Sequence, residues 1–276
     1  MSKSFVHLHA HTEYSMLDGA AKINDYLDRV KELNQPGAAI TDHGNLYGAL
    51  EFYHSALKKK LIPIIGYEAY VINDSRFDRP DRENNKRYHL TLLAENTVGY
   101  WNLVKMASKA FTEGYYYKPR VDYELLKDHS EGIIALSGCL GGEISQFLAP
   151  DGSVEEGNQE GERSFSKALE KARFYQSIFG ENNFYIELHN HGIAQQKIIL
   201  PDLLKISEEI GAPLVATNDS HYVNQDDASA HDALLCVQTN ATLDDNTRFK
   251  FDGSGYYVKS SEEMRKLFPE EKFPKA

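Results

Sequence analysis

Seven short apolar runs, separated by amphipathic stretches, constrain this chain more than any other feature. They lie at residues 5–9, 38–41, 62–71, 88–94, 133–137, 184–188 and 214–217. Between them apolar residues recur three or four apart, as in Ile23, Leu27, Val30 and Leu33, or Leu203, Leu204, Ile206 and Ile210. Gly211-Ala-Pro213 reads as a helix stop before a buried strand. Strands alternating with helices predict a parallel α/β architecture, either an open sheet or a closed barrel.

Polar groups at the run ends choose between the two. His9 and His11 leave the first run, Asp42 and His43 the second, Cys139 the fifth, and Asp219 and His221 the seventh. Ends of so many strands converge on one rim of a barrel, whereas an open sheet gathers them only at its switch point. The expected fold is a distorted, seven-unit (β/α)7 barrel with its polar cluster at the C-terminal rim of the strands. His89 fits poorly, because it stands near the start of its run.

His9, His11, Asp18, His43, Glu68, His89, Cys139, Asp219 and His221 are all of metal-ligand type. They are too many for one tetrahedral ion and suit a cluster of two or three divalent ions. Zinc, manganese and iron accept this ligand mixture, and magnesium is a further candidate. His9-Ala-His11 puts two imidazoles on one face of an extended segment, a spacing that a plain core pair would share. His7 continues that alternation further back. Asp42 could orient an imidazole instead of binding an ion. Glu68 lies in an otherwise apolar run and needs a cation, a salt-bridge partner or a proton. Cys139, in a glycine-rich turn, reads either as a ligand or as an ordinary buried cysteine.

Other motifs are more ambiguous. His189-Asn-His191 could contact substrate, could hydrogen-bond to the ligands, or could simply face solvent. Tyr115-Tyr-Tyr-Lys118-Pro-Arg120 mixes rings and cations as single-strand-binding surfaces do, although tyrosines capping a core would look alike. Residues 73–86 and 150–163 read as exposed insertions, with Glu155, Glu156, Glu160 and Glu162 a solvated face. Residues 262–276 read as a helix followed by a domain edge without packing.

At 276 residues the chain is long enough for one domain with a substantial core. It has no apolar stretch of membrane-span length, no secretory leader and only two well-separated cysteines, so a reducing cytoplasm is expected. The net charge of −11 argues against a stand-alone nucleic-acid binder. A DNA substrate remains compatible with that charge. Four anionic ligands and three divalent ions would leave the site itself at about +2 and attract a phosphodiester locally.

With these residues in view, the chain resembles the polymerase and histidinol phosphatase (PHP) domain, most narrowly the PHP domains at the amino terminus of bacterial DNA polymerase III alpha subunits. The resemblance covers essentially the whole chain. It rests on His7-Leu-His-Ala-His-Thr-Glu-Tyr-Ser-Met-Leu-Asp-Gly19, Ala39-Ile-Thr-Asp-His-Gly-Asn-Leu46, Pro63-Ile-Ile-Gly-Tyr-Glu68, Leu136-Ser-Gly-Cys-Leu140, Ala216-Thr-Asn-Asp-Ser-His221 and Tyr257-Val-Lys-Ser-Ser-Glu-Glu-Met264. It implies a trinuclear centre. His9, His11, Glu68 and Asp219 would hold one ion, and Glu68 would bridge to a second completed by His89 and Cys139. Asp18, His43 and His221 would hold the third.

The resemblance also implies metal-dependent 3′–5′ exonuclease proofreading on the primer 3′ end, with Asp219, Glu68 and His43 as catalytic ligands. His191, Lys118 and Arg120 are candidate substrate contacts. Implied partners are the polymerase domains of an alpha subunit and other replisome components, with no membrane. A small-molecule phosphomonoesterase and a metal-braced, non-catalytic scaffold are the alternatives. The palm, fingers and thumb of such subunits are absent from these 276 residues, so polymerase activity is not expected here.

Overall fold

A computed structural model of the chain describes residues 4–81, 84–149, 163–273 and 276. Its strands are β1 (Gly37–Ile40), β2 (Ile62–Ile72), β3 (Tyr88–Ala94), β4 (Arg120–Asp122), β5 (Ile133–Leu136), β6 (Phe184–Leu188) and β7 (Leu214–Ala216). They form one sheet in the order β1-β2-β3-β5-β6-β7, with β4 pairing to β2 beside that path. The helices used below are α1 (Ile23–Glu32), α2 (Ala49–Lys59), α3 (Thr97–Thr112), α4 (Tyr123–Asp128), α5 (Glu143–Leu148), α6 (Phe165–Phe179), α7 (Ala194–Ile210), α8 (Ala228–Thr239) and α9 (Ser261–Leu267).

The chain is α/β and its sheet curls into a distorted barrel, but the sheet is not wholly parallel. β3 runs antiparallel to both neighbours, β2 and β5. The remaining pairings, β1 with β2, β2 with β4, β5 with β6 and β6 with β7, are parallel. Reversal of β3 removes the difficulty over His89. The start of an antiparallel strand lies beside the ends of its parallel neighbours, and His89 pairs in register with Tyr70 near the end of β2.

The first apolar run, residues 5–9, is not a regular strand. Its backbone and the two residues beyond it still tie the sheet edges together. Ala39 N donates to His7 O and Thr41 N to Ala10 O on one side, while His11 N donates to Ser220 O and Ser220 N to His9 O on the other. The seventh regular strand is instead β4, three residues long and hidden at the end of the Tyr115–Arg120 motif.

Alternation along the strands builds the interior. Ala39, Ile64, Leu93, Leu136, Tyr185 and Val215 pack as one apolar cluster. Two and four residues along the same faces stand Glu68, Thr91, His89, Glu187, Thr217 and Asp219, all buried. Two larger clusters lie outside. α1 and α2 bury Ile23, Leu27, Phe52 and Ala56 against Ile40. α3, α5, α6 and α7 bury Leu103, Ile144, Ala172 and Ile206 with Leu92 and Ile186. Gly211, at φ +68, ends α7 in the left-handed conformation, as its sequence context predicts.

Most described residues of 73–86 are exposed, as expected, whereas the expectation for the end of the chain needs correction. Within 73–86, Arg76 and Asn85 are buried, and Arg76 donates to both Asp122 carboxylate oxygens at 3.0 Å and to Glu113 Oε2 at 2.7 Å. The segment is irregular, but charge pairing holds it to the body. The chain after α9 is packed as well: Phe268 and Phe273 are buried in the large cluster, their rings 5.5 Å apart. Proline and lysine content misled there, because two phenylalanines suffice to anchor the segment. Of residues 150–163, only Arg163 is among the described residues, so the four glutamates of that segment lie outside them.

Candidate metal centre

The barrel rim gathers the ligand-type side chains in three overlapping sets around Glu68. In the first, His9 Nε2 lies 3.2 Å from Glu68 Oε1 and 3.4 Å from Asp219 Oδ1, and His11 Nε2 lies 3.2 Å from the same Asp219 oxygen. In the second, His89 Nδ1 is 3.2 Å from Glu68 Oε1, and Cys139 Sγ is 3.8 Å from that oxygen and 3.6 Å from His89 Nδ1. In the third, Asp18 Oδ2 is 2.7 Å from His43 Nε2 and 3.7 Å from His221 Nε2. His43 Nδ1 reaches Glu68 Oε2 at 2.6 Å and links the third set to the others.

These separations suit cations. A tetrahedral ion about 2.1 Å from each ligand sets neighbouring donors roughly 3.4 Å apart. Buried polar atoms without a hydrogen-bond partner include His9 Nε2, His11 Nε2, His221 Nε2, His43 Nδ1, Asp18 Oδ1, Glu68 Oε2 and Asp219 Oδ1. Native proteins rarely leave such atoms unsatisfied, and here the named histidine nitrogens face the carboxylates of Asp18, Glu68 and Asp219. The His43–Glu68 contact, at 2.6 Å, is shorter than that tetrahedral spacing, and neither of its two atoms has a hydrogen-bond partner. The residues present therefore fit a cluster of divalent cations.

The tautomers of His9, His11 and His221 are fixed from behind. His9 Nδ1 lies 2.8 Å from Glu187 Oε1, His11 Nδ1 2.9 Å from Ser15 Oγ and His221 Nδ1 2.9 Å from Asp219 O. Donating through Nδ1, each ring presents its Nε2 lone pair to the centre. Ser15 Oγ in turn donates to Asp42 Oδ1 at 2.7 Å, and Asp42 also accepts from Thr12 N and Oγ1 at 2.6 and 2.7 Å. Asp42 thus orients His11 through Ser15, one of the two roles open to it in the sequence. His7 stays outside the cluster, its Nε2 2.9 Å from Lys259 O.

Backbone geometry positions the ligands. Asp219 holds φ +45, strained for a residue with a Cβ. Its neighbour Asn218 secures the turn by donating to Gly255 O at 3.0 Å and Tyr257 O at 2.8 Å while accepting from Lys259 Nζ at 3.0 Å. Gly138 precedes Cys139 at φ +86, and a Cβ there would stand 2.6 Å from His89 O. Only glycine lets β5 turn so closely past β3.

The electrostatics favour ionised carboxylates. Burial works against the Glu68 anion, but the imidazoles of His89, His43 and His9 outweigh it and hold its pKa well below the usual range. Asp18 and Asp219 behave alike, through His221 and His43 and through His9 and His221 respectively. His43 is pulled down by burial yet raised to about 9 by Glu68 and Asp18. His11 is lowered to about 3, by burial and by its neighbours His43 and His221. Burial, then Glu68, raises the Cys139 thiol.

A PHP domain model matches residues 7–191. The chain belongs to the PHP domain family. Over 272 residues it is 48% identical to the DNA polymerase III subunit alpha of Thermus aquaticus, covering 96% of this chain and 21% of that protein. Over 275 residues it is 46% identical to the Deinococcus radiodurans subunit, covering 97% and 20%. This PHP domain therefore spans about a fifth of the length of the curated relatives it matches. Among solved structures, an amidohydrolase from Chromobacterium violaceum aligns over 80% of this chain and 89% of that chain, at 14% identity and a TM-score of 0.48. Among the described residues no helix is long and apolar enough to cross a membrane.

Glu187 is the residue of this PHP domain that sequence reasoning missed. Fully buried, it faces His9 Nδ1 at 2.8 Å and His189 Nε2 at 3.0 Å, and accepts from Thr217 Oγ1 at 2.5 Å and Gly138 N at 3.0 Å. Burial opposes its charge, but His9 and His189 lower its pKa to about 2. The signal was present: a lone carboxylate in an apolar strand, the pattern that drew attention to Glu68.

The three candidate substrate contacts part company. Lys118 Nζ lies 5.1 Å above the Tyr70 ring, which stacks 5.8 Å from His43. Arg120 is fully buried, donating to Gly114 O at 2.9 Å, Arg76 O at 2.9 Å and Asp78 O at 2.7 Å. His191 spends both ring nitrogens on Asn218 O at 2.8 Å and Gln196 Nε2 at 2.9 Å, and stacks on Tyr256 at 4.0 Å.

Proposed function

We propose that this PHP domain is a metal-dependent phosphoesterase that removes nucleotides from the 3′ end of a DNA primer. The observation that carries the reading is the convergence of unsatisfied ligand atoms on Glu68, which touches all three sets through its two oxygens. Glu68, Asp219 and the surrounding imidazoles would hold divalent cations, which would supply positive charge for a phosphate and lower the pKa of a water toward neutrality. Zinc, manganese, iron and magnesium all remain candidates.

The chain's own residues set the geometry. Glu68 and Asp219, held ionised, bring the three sets together, and His43 bridges the sets from the solvent side. The side chains of Asp18, His43 and Asp219 are 14%, 13% and 11% exposed, whereas those of His9, His11 and Glu68 are at most 1% exposed. Substrate therefore approaches across Asp18, His43 and Asp219. Lys118, over the Tyr70 ring that stacks on His43, is the proposed contact to a non-bridging phosphate oxygen. No side-chain nucleophile is required.

The similarity to DNA polymerase III alpha subunits supports DNA over small monoesters as the substrate, and polymerase domains and replisome components as the proposed partners. The test incubates manganese- or zinc-loaded protein with a 3′-recessed primer and, separately, with phosphomonoesters such as histidinol phosphate. Mononucleotide release that is lost in Asp219→Asn, with an unchanged circular-dichroism spectrum, is expected. Free phosphate from monoesters alone would make the domain a phosphomonoesterase. Metal stabilisation without turnover of either substrate would make it a braced scaffold.

A further inference from the structure

A cavity of about 230 Å³ opens directly behind His221, between α8 and the loop at residues 250–253. Ser229, His231, Asp232 and Leu235 line it from the helix, and Lys250 and Phe251 from the loop. It shares a wall with the third ligand set. The Phe251 ring stands 4.8 Å from the His221 ring, and His231 Nε2 lies 2.8 Å from the backbone carbonyl of Asp18. We propose that this cavity receives the nucleoside of the nucleotide being released, with Phe251 as the stacking face for its base.

The inference rests on the phosphodiesterase reading above and adds where the departing nucleotide sits. Size comes first. The cavity is smaller than the ~300 Å³ at which sites for drug-sized ligands begin, so it suits one nucleoside and no longer segment. Position comes second: a phosphate over Asp18 and His221 has its attached sugar and base within reach of this wall.

Chemistry comes third. Near-perpendicular packing of Phe251 against His221, His231 and Tyr256, at 4.8, 4.9 and 4.6 Å, fixes its plane at the wall. A fixed ring stacks on any base without reading its identity. Asp232, the carboxylate on the wall, is held by both Arg248 terminal nitrogens at 2.6 Å, so its charge is spent before a nucleotide arrives. Lys250 leaves a cation on the lining.

The test compares two primers, one ending in an ordinary nucleotide and one in an abasic tetrahydrofuran nucleotide, on wild type, Phe251→Ala and Phe251→Tyr, all metal-loaded. The ratio of kcat/KM for the base-bearing over the abasic end is expected to fall at least about fivefold in Phe251→Ala and to recover in Phe251→Tyr. A ratio unchanged in Phe251→Ala, however low the absolute rates, overturns the proposal. Saturation-transfer NMR with thymidine 5′-monophosphate is the second arm. Saturation of the base protons in wild type and its loss in Phe251→Ala is expected, and equal transfer in both, or none in wild type, overturns the proposal. If no primer is degraded by any variant, the phosphodiesterase reading fails, and the NMR arm still decides what the cavity holds.

Discussion

His89 Nδ1 and Glu68 Oε1 lie 3.2 Å apart although they come from strands that run in opposite directions. That contact exists because the antiparallel β3 delivers the beginning of its sequence to the rim where the parallel strands end. Glu68 is therefore both the in-register neighbour of Thr91 and the carboxylate common to every ligand set. Glu68→Gln keeps the volume and removes the charge. We expect it to lower the metal content by at least one ion per chain, measured by elemental analysis after purification without chelator. Unchanged stoichiometry would show that Glu68 is not a shared ligand.

Glu187 faces His9 Nδ1 at 2.8 Å and His189 Nε2 at 3.0 Å, on the side of His9 away from Glu68 and Asp219. Loss of such a supporting carboxylate weakens metal affinity or activity by about 10–100-fold. Glu187→Gln should show that loss in a competitive chelator titration while retaining all its ions at saturating metal. An affinity equal to wild type would mean that His9 keeps its orientation without Glu187.

Arg120 is buried and donates to backbone carbonyls, whereas Lys118, the proposed substrate contact, lies over the Tyr70 ring. Arg120→Met removes the side-chain donor to buried Gly114 O, a cost of about 1–3 kcal/mol, whereas Arg76 O and Asp78 O keep Arg79 Nη1 as a donor. A loss of about 1–3 kcal/mol in urea unfolding is expected, with KM for the primer unaltered where the protein stays folded. Lys118→Met should do the reverse, with stability within about 0.5 kcal/mol and KM raised. A raised KM in Arg120→Met would return Arg120 to the substrate surface.

Burial first, then the His189 charge, lowers the pKa of His191 to about 3, against 6.5 for the free side chain. The unfolded chain thus binds a proton below pH 6.5 that the folded chain refuses until about pH 3. The resulting stability is complete above pH 6.5 and is lost as pH falls. Between pH 7.5 and 5 the loss is about 2 kcal/mol. The metal-free His191→Gln variant should show a pH profile flatter by that amount in denaturant titrations. Parallel profiles would show that His191 takes up its proton in the folded state.

Much of this architecture was legible in the chain. Six of the seven apolar runs became strands within a residue or two of their expected limits, because burial on both faces leaves an uninterrupted apolar signature. The ligand-type residues stood out because imidazoles and carboxylates at strand ends have few other reasons to gather. Strand direction was not legible: the pattern of β3 is the same read either way, and only the misplaced His89 hinted at reversal. β4 escaped notice because three residues, one of them the buried Arg120, carry no period. Glu187 was overlooked beside the more conspicuous His189 and His191, and the packed ending at Phe268 and Phe273 was masked by its prolines and lysines.

The most direct measurement is anomalous diffraction from crystals grown with excess manganese. The account expects two or three peaks about 3.5–4 Å apart at the barrel rim, one between His9, His11 and Asp219, another between Glu68, His89 and Cys139, and a third where present beside Asp18, His43 and His221. Peaks confined to surface carboxylates, with these side chains turned away from one another, would contradict it.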